Sequence, residues 1–117
     1  MGELARAEEG NGPCRFLESL VSAAFGLKPA ALRERRRGTG RVALARQIAI
    51  YLAHTRLGLN YTASGALFGR DRTTAAHAVR KIEERRENLI LDSMLDCLER
   101  SVDIWPRSLG GAAGDGR

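Results

Sequence analysis

The chain has 117 residues, 44% hydrophobic, 5% aromatic and 28% charged, with a net charge of +5. That gives room for one domain whose modest core must be mostly Ala, Leu, Ile and Val, a composition that favours helices. No run of about 18 apolar residues occurs, which excludes a transmembrane helix, and the opening M-G-E-L-A-R-A-E-E-G lacks the basic-then-apolar order of a signal peptide, so a cytoplasmic protein is expected.

Residues 1–13, with Gly10, Gly12 and Pro13, read as a flexible N-terminal arm. Residues 14–104 read as a single helical domain. Its first helix is expected over Cys14 to Leu27, where Phe16, Leu17, Leu20, Val21, Ala24 and Phe25 fall close to i, i+4, i+8 spacing and Gly26 marks the end. Pro29 suits the first turn of a short helix, Ala30 to Arg35. The following R-E-R-R-R-G-T-G-R, residues 33–41, is a flexible basic loop. Arg35, Arg36, Arg37 and Arg41 could run along phosphates or enter a narrow minor groove.

Val42 to Leu57 predicts the longest helix of the first half, with Leu44, Ile48, Tyr51, Leu52 and Thr55 as its inner stripe and Arg46 projecting on the other side. Gly58 stops it. Asn60 can cap a short helix over Tyr61 to Leu67, and the turn Phe68-Gly69-Arg70 leads to Asp71, a good N-cap for the next helix. At 100° per residue that helix puts Ala75, Ala78, Val79 and Ile82 on one side and Thr73, His77, Arg80 and Glu84 on the other, with Arg72 exposed in the first turn. Hydroxyl, imidazole and guanidinium groups suit base edges in a major groove, although periodicity alone fits an ordinary surface helix equally well. Two helices joined by a tight Gly-containing turn, over about residues 60–87, form a helix-turn-helix.

A last helix is expected over about 88–103, with Leu91, Leu95, Leu98 and Val102 along one side, Met94 beside them and acidic residues elsewhere. It closes the bundle or, through Leu91, Leu95 and Trp105, docks a partner protein. The tail from 105 to 117 has too little hydrophobicity to fold.

The charge is concentrated. Residues 28–81 hold twelve Lys or Arg against Glu34 and Asp71, a net of +10, while the remainder is net −5. That is the footprint of a polyanion-binding chain. Cys14 and Cys97 are far apart and have only His54 and His77 beside them, so no metal site, cofactor or catalytic pairing can be assembled from their spacing. Two small buried thiols are expected.

At R-Q-I-A-I-Y-L-A, G-R-D-R-T-T and H-A-V-R-K-I-E the sequence resembles the C-terminal DNA-binding domain of the bacterial replication initiator DnaA, over roughly Phe16 to Glu87. The resemblance implies an all-α helical bundle containing a helix-turn-helix. It also implies that Asp71, Arg72, Thr73, Thr74 and His77 face the major groove, and that Tyr61 and Thr62 meet phosphate at the start of the first helix of the motif. Arg46, Arg70, Arg80 and Lys81 join the basic loop as expected backbone or minor-groove contacts.

The chain departs from the family pattern at several positions. Arg72 stands where the family usually has His, Gly69 stands alone where two glycines are common, Ala63-Ser64 replaces an acidic-aliphatic pair, and Leu44 occupies the place of the minor-groove Arg. These departures leave the target sequence open.

No G-x-x-x-x-G-K-[ST] occurs, so nothing in the chain corresponds to the initiator's ATPase motor. The expected function is a non-enzymatic, sequence-specific transcription regulator of the bacterial nucleoid. The resemblance extends to stand-alone DnaA-like activators of gene transfer agent and prophage-like genes, which work with a second protein that engages RNA polymerase. The alternative is a replication modulator competing with the initiator at origin sites. A pure protein-interaction module would depend on Trp105 rather than on Arg72 and Thr73.

Overall fold

The computed structural model describes residues 2–35 and 38–105, and the side chains of 12–35 and 38–104 among them. Five α-helices and one 3-10 turn make up the described chain: α1 Gly2–Ala24, the turn Pro29–Arg33, α2 Gly40–Thr55, α3 Tyr61–Ala66, α4 Arg72–Arg85 and α5 Leu89–Trp105. The all-α expectation holds. Arg36, Arg37, the side chain of Trp105 and the tail beyond it lie outside the described residues.

Helix α1 corrects the expectation of a loose arm, because it starts at Gly2 and runs through Pro13. Glu3 to Glu9 are nearly all strong helix formers, and Gly10 and Gly12 lower helix stability by about 1 kcal/mol each without forbidding it. Its end was legible. Gly26 has φ +66, and the N–H groups of Leu27 and Gly26 donate to Ser22 O (2.8 Å) and Ala23 O (3.1 Å), closing the helix with two backward bonds that satisfy its last carbonyls. Leu17 and Val21 are fully buried.

The core gathers around α2. Ala45, Ile48, Ala49, Ile50, Tyr51, Leu52 and Ala53 are all buried, so the helix has no single inner stripe. Expected core residues Leu44 and Thr55 are half-buried and exposed, respectively. The alanines let α1 and α4 approach α2 on several sides at once. The same enclosure overturns the expectation that Arg46 projects outward, for it is only 6% exposed.

Asn60 and Asp71 cap α3 and α4 as expected, accepting from Ala63 N and Thr74 N, each at 2.8 Å. Between the two helices Phe68 is fully buried and Gly69 has φ +70, a left-handed turn that favours glycine. Gly65 permits the close approach, because a Cβ there would lie 2.7 Å from Arg70 O and 2.9 Å from Asp71 O.

Helix α5 packs on α1 and buries Leu95, Leu98 and Val102. Leu95, expected as a docking residue, is thus core: it lies in phase with Leu98 and Val102 on the inward side. The thiols are corrected as well. Cys14 is half-buried and Cys97, on the outer side of α5, is exposed. Burial, then the nearby Glu18 carboxylate, pushes the Cys14 thiol pKa up.

Arg86, just past α4, fastens α5. Its Nε donates to Asp92 Oδ1 (2.5 Å), and its Nη1 donates to Glu99 Oε2 (2.8 Å) and Tyr51 Oη (3.0 Å). Burial works against the charge, yet the bonds to Glu99, Asp92 and Tyr51 outweigh it and hold the guanidinium pKa above its ordinary value. Since Asp92 and Asp96 are substantially exposed, water weakens part of this cluster. Arg86→Ala is expected to cost about 2 kcal/mol, read as a lower urea midpoint, with hydrogen exchange faster in α5 than in α2.

Candidate nucleic-acid interface

The first turn of α4 stands clear of the core. Arg72, Thr73, Thr74 and His77 are all exposed, whereas Ala75, Ala78, Val79 and Ile82 on the opposite side are buried. The helical phase read from the sequence is therefore the phase in the fold. Asp71 serves the helix first: its hydrogen bonds with the Thr74 backbone N–H and hydroxyl hold its carboxyl below the usual carboxylate range. It stays ionised at neutral pH and fixes where Arg72 and Thr73 emerge. This pKa is depressed on folding, so the cap's contribution is present above the unfolded value near 3.9 and fades as pH falls through the lower folded value.

Beside α4 opens a cleft of about 510 Å³ against α2, lined by Arg46, Gln47, Arg70, Thr74, His77 and Lys81 among others. Arg46 forms its floor. Its Nε donates to Leu32 O at 2.9 Å, which ties the 3-10 turn to α2, while its buried Nη2 has no hydrogen-bond partner among the described residues. Burial, then the neighbouring Arg70 charge, lowers the Arg46 pKa, with Glu34 acting the other way. Buried cationic nitrogens without an acceptor are costly. A phosphate oxygen entering the cleft would supply the acceptor and the opposite charge, and Thr74 and Lys81 stand beside it. Thr74 and His77 thus sit on the boundary between the exposed turn and this cleft.

Arg70 has a second task. Its Nη1 donates to Phe68 O (3.0 Å) and its Nη2 to Glu34 O (2.9 Å), bracing the turn of the motif against the segment after the 3-10 helix. Arg33 makes a parallel link, with Nε donating to Leu67 O at 3.2 Å and an ion pair to the buried Glu18. Tyr61 is half-buried and stacked on His54 with centroids 4.4 Å apart, and Thr62 is exposed at the start of α3. Arg35, Arg41 and Arg80 are exposed as expected, whereas Lys81 is half-buried in the cleft wall.

Sequence reasoning missed Gln47. It follows Arg46 directly in the chain, but only the crossing of α2 and α4 shows that it lines the same cleft.

The model of the bacterial dnaA protein helix-turn-helix family matches residues 16–82, from the second half of α1 to Ile82 in α4. The chain belongs to this family. The chromosomal replication initiator protein DnaA of Leptothrix cholodnii is 38% identical over 88 residues, covering 74% of this chain and 17% of that protein. The DnaA protein of Bordetella pertussis is 33% identical over 102 residues, 86% of this chain and 22% of the relative. That of Pseudothermotoga lettingae is 36% identical over 63 residues, 52% and 14%. The chain thus spans less than a quarter of each of these initiators. Family membership rests on the helix-turn-helix, and all of α5 lies beyond the matched segment. No helix among the described residues is long and apolar enough to cross a membrane.

Proposed function

We propose that this protein reads a specific double-stranded DNA sequence and regulates transcription, acting as an activator with a second protein that engages RNA polymerase. Membership of a helix-turn-helix family supports the DNA-binding part. The observation that carries the reading is the exposed, Asp71-capped first turn of α4 beside a cationic cleft whose buried Arg46 nitrogen has no acceptor among the described residues. Arg72 would read guanine O6 and N7, Asp71 would accept from cytosine N4, and the threonine methyls would meet thymine methyls. Arg46 and Lys81 would hold a phosphate, and the exposed Arg35, Arg41 and Arg80 would follow the backbone.

The regulatory part is supported by the charge contrast between this face and α5, whose Asp96 is exposed and could meet a basic partner surface. Genes of the gene transfer agent or prophage-like kind are the proposed targets. Because the relatives named above are replication initiators, competition at origin sites is the second reading.

Genome-wide occupancy in the native host, with and without Arg72→Ala, separates the two. Peaks at a few promoters support transcription, and peaks at the origin support competition. In vitro, Arg72→Ala is expected to lower discrimination at one base pair by about tenfold, within the 1–3 kcal/mol of a bidentate contact. Uniform weakening at every position would mean that Arg72 contacts backbone instead.

A further inference from the structure

At the far end of α4 from the reading turn, α4, α5 and the start of α2 leave an apolar groove of about 580 Å³, walled by Leu44, Ile90, Leu91 and Met94 and rimmed by Glu84 and Arg85. At its edge the first turn of α5 presents Leu89 and Ile90, 79% and 84% exposed. Two adjacent large apolar side chains this open to water, beside an apolar groove, make a contiguous exposed apolar patch of the kind that marks a binding surface.

We propose that this surface is a two-fold dimer interface, in which Leu89 and Ile90 of each copy enter the groove of the other. A two-fold contact uses the same patch on both copies, so the patch must complement itself. This one carries both halves of the fit, an apolar groove and, on its edge, the exposed Ile90 with Leu89 next to it. Its charges allow the same: Glu84 and Arg85 are neighbours on the rim, so in the proposed dimer Glu84 of one copy would meet Arg85 of the other. The chain's own tail is a poorer occupant. It leaves from Trp105, about 20 Å along α5 from the groove at 1.5 Å per residue, and Leu109 is its one large apolar residue.

The position of the patch has a consequence for DNA. Helix α4 is about 20 Å long, so a two-fold axis near its C-terminal end places the two reading turns up to about 40 Å apart. Successive major-groove half-sites on one face of DNA are separated by about 34–36 Å.

The test is sedimentation equilibrium of the full chain without DNA, up to about 100 µM, which keeps failure of the dimer distinct from failure of the DNA-binding reading. A reversible dimer is expected, weakened at least tenfold by Ile90→Ser. That substitution should leave the circular dichroism and urea midpoint unchanged, because Ile90 is almost fully exposed in the monomer. Glu84→Arg should also weaken the dimer, and the double exchange Glu84→Arg with Arg85→Glu should restore it. A chain that remains monomeric throughout overturns the proposal and leaves the groove to a different protein. So does a dimer that Ile90→Ser does not weaken, or one that the double exchange fails to restore.

Discussion

Gly65→Ala is expected to destabilise the domain by about 2 kcal/mol net and to abolish specific DNA binding with it. Two effects oppose each other at this site. Alanine in place of glycine inside α3 favours the helix by about 1 kcal/mol. Against that, the new methyl would stand 2.7 Å from Arg70 O, 2.9 Å from Asp71 O and 3.2 Å from Ala75 Cβ. The first two atoms are backbone, at the N-terminus of α4, and cannot swing away as a long side chain can. Overpacking of this kind costs about 1–3 kcal/mol, occasionally more, so the clash wins. Relief requires α4 to move off α3, which also strains the Arg70 N to Gly65 O bond of 2.9 Å and turns Arg72 and Thr73 away from their present direction. Urea denaturation and DNA binding measured on one preparation check the expectation. An unchanged midpoint would show that the motif is more plastic than its packing implies.

Arg46→Met is expected to separate stability from binding. Methionine keeps an unbranched apolar stem in the space between α2 and the 3-10 turn while removing the buried charge. The fold loses the bond to Leu32 O, worth about 1 kcal/mol. It also sheds the cost of a buried guanidinium with an unsatisfied nitrogen, a term of similar size and opposite sign. The urea midpoint should therefore change little. Affinity for DNA should fall by about thirtyfold or more for every sequence, since loss of a desolvated charge pair costs about 2 kcal/mol or more. The slope of affinity against salt should decrease by about one ion. Arg72→Ala should show the complementary pattern, with altered sequence preference. A large loss of stability in Arg46→Met, with binding restored in the folded fraction, would assign Arg46 to the fold alone.

Much of the reading helix was legible because its signals are local. The Asp71 cap, Gly69 in its left-handed turn and the 3.6-residue recurrence of Ala75, Ala78, Val79 and Ile82 each act within a few residues of chain. The R-D-R-T-T and H-A-V-R-K-I-E segments added the family, and the match over residues 16–82 agrees with them. Reasoning from local pattern failed where several elements converge. On α2 a single-stripe pattern would put Arg46 outward, but the helix is enclosed on several sides and Arg46 is buried. In α1 two glycines and a proline suggest a flexible arm over residues 1–13, although each only lowers the stability of a helix that its other residues favour.

The sequence by itself determined the helical class, the positions of the caps and turns, the concentrated basic charge and the face of α4 that carries the polar side chains. These depend on interactions between neighbours in the chain, which spacing and residue type specify directly. Only the tertiary structure decided that Arg46, Gln47, Thr74 and Lys81 share one cleft, that Arg70 and Arg33 brace the motif, that Leu95 is core and that Leu89 and Ile90 stand exposed beside a groove. Each of those facts depends on how helices distant in sequence cross. The crossing is set by which small residues permit close approach and which side chains fill the space between them, and no single helix carries that information in its own periodicity.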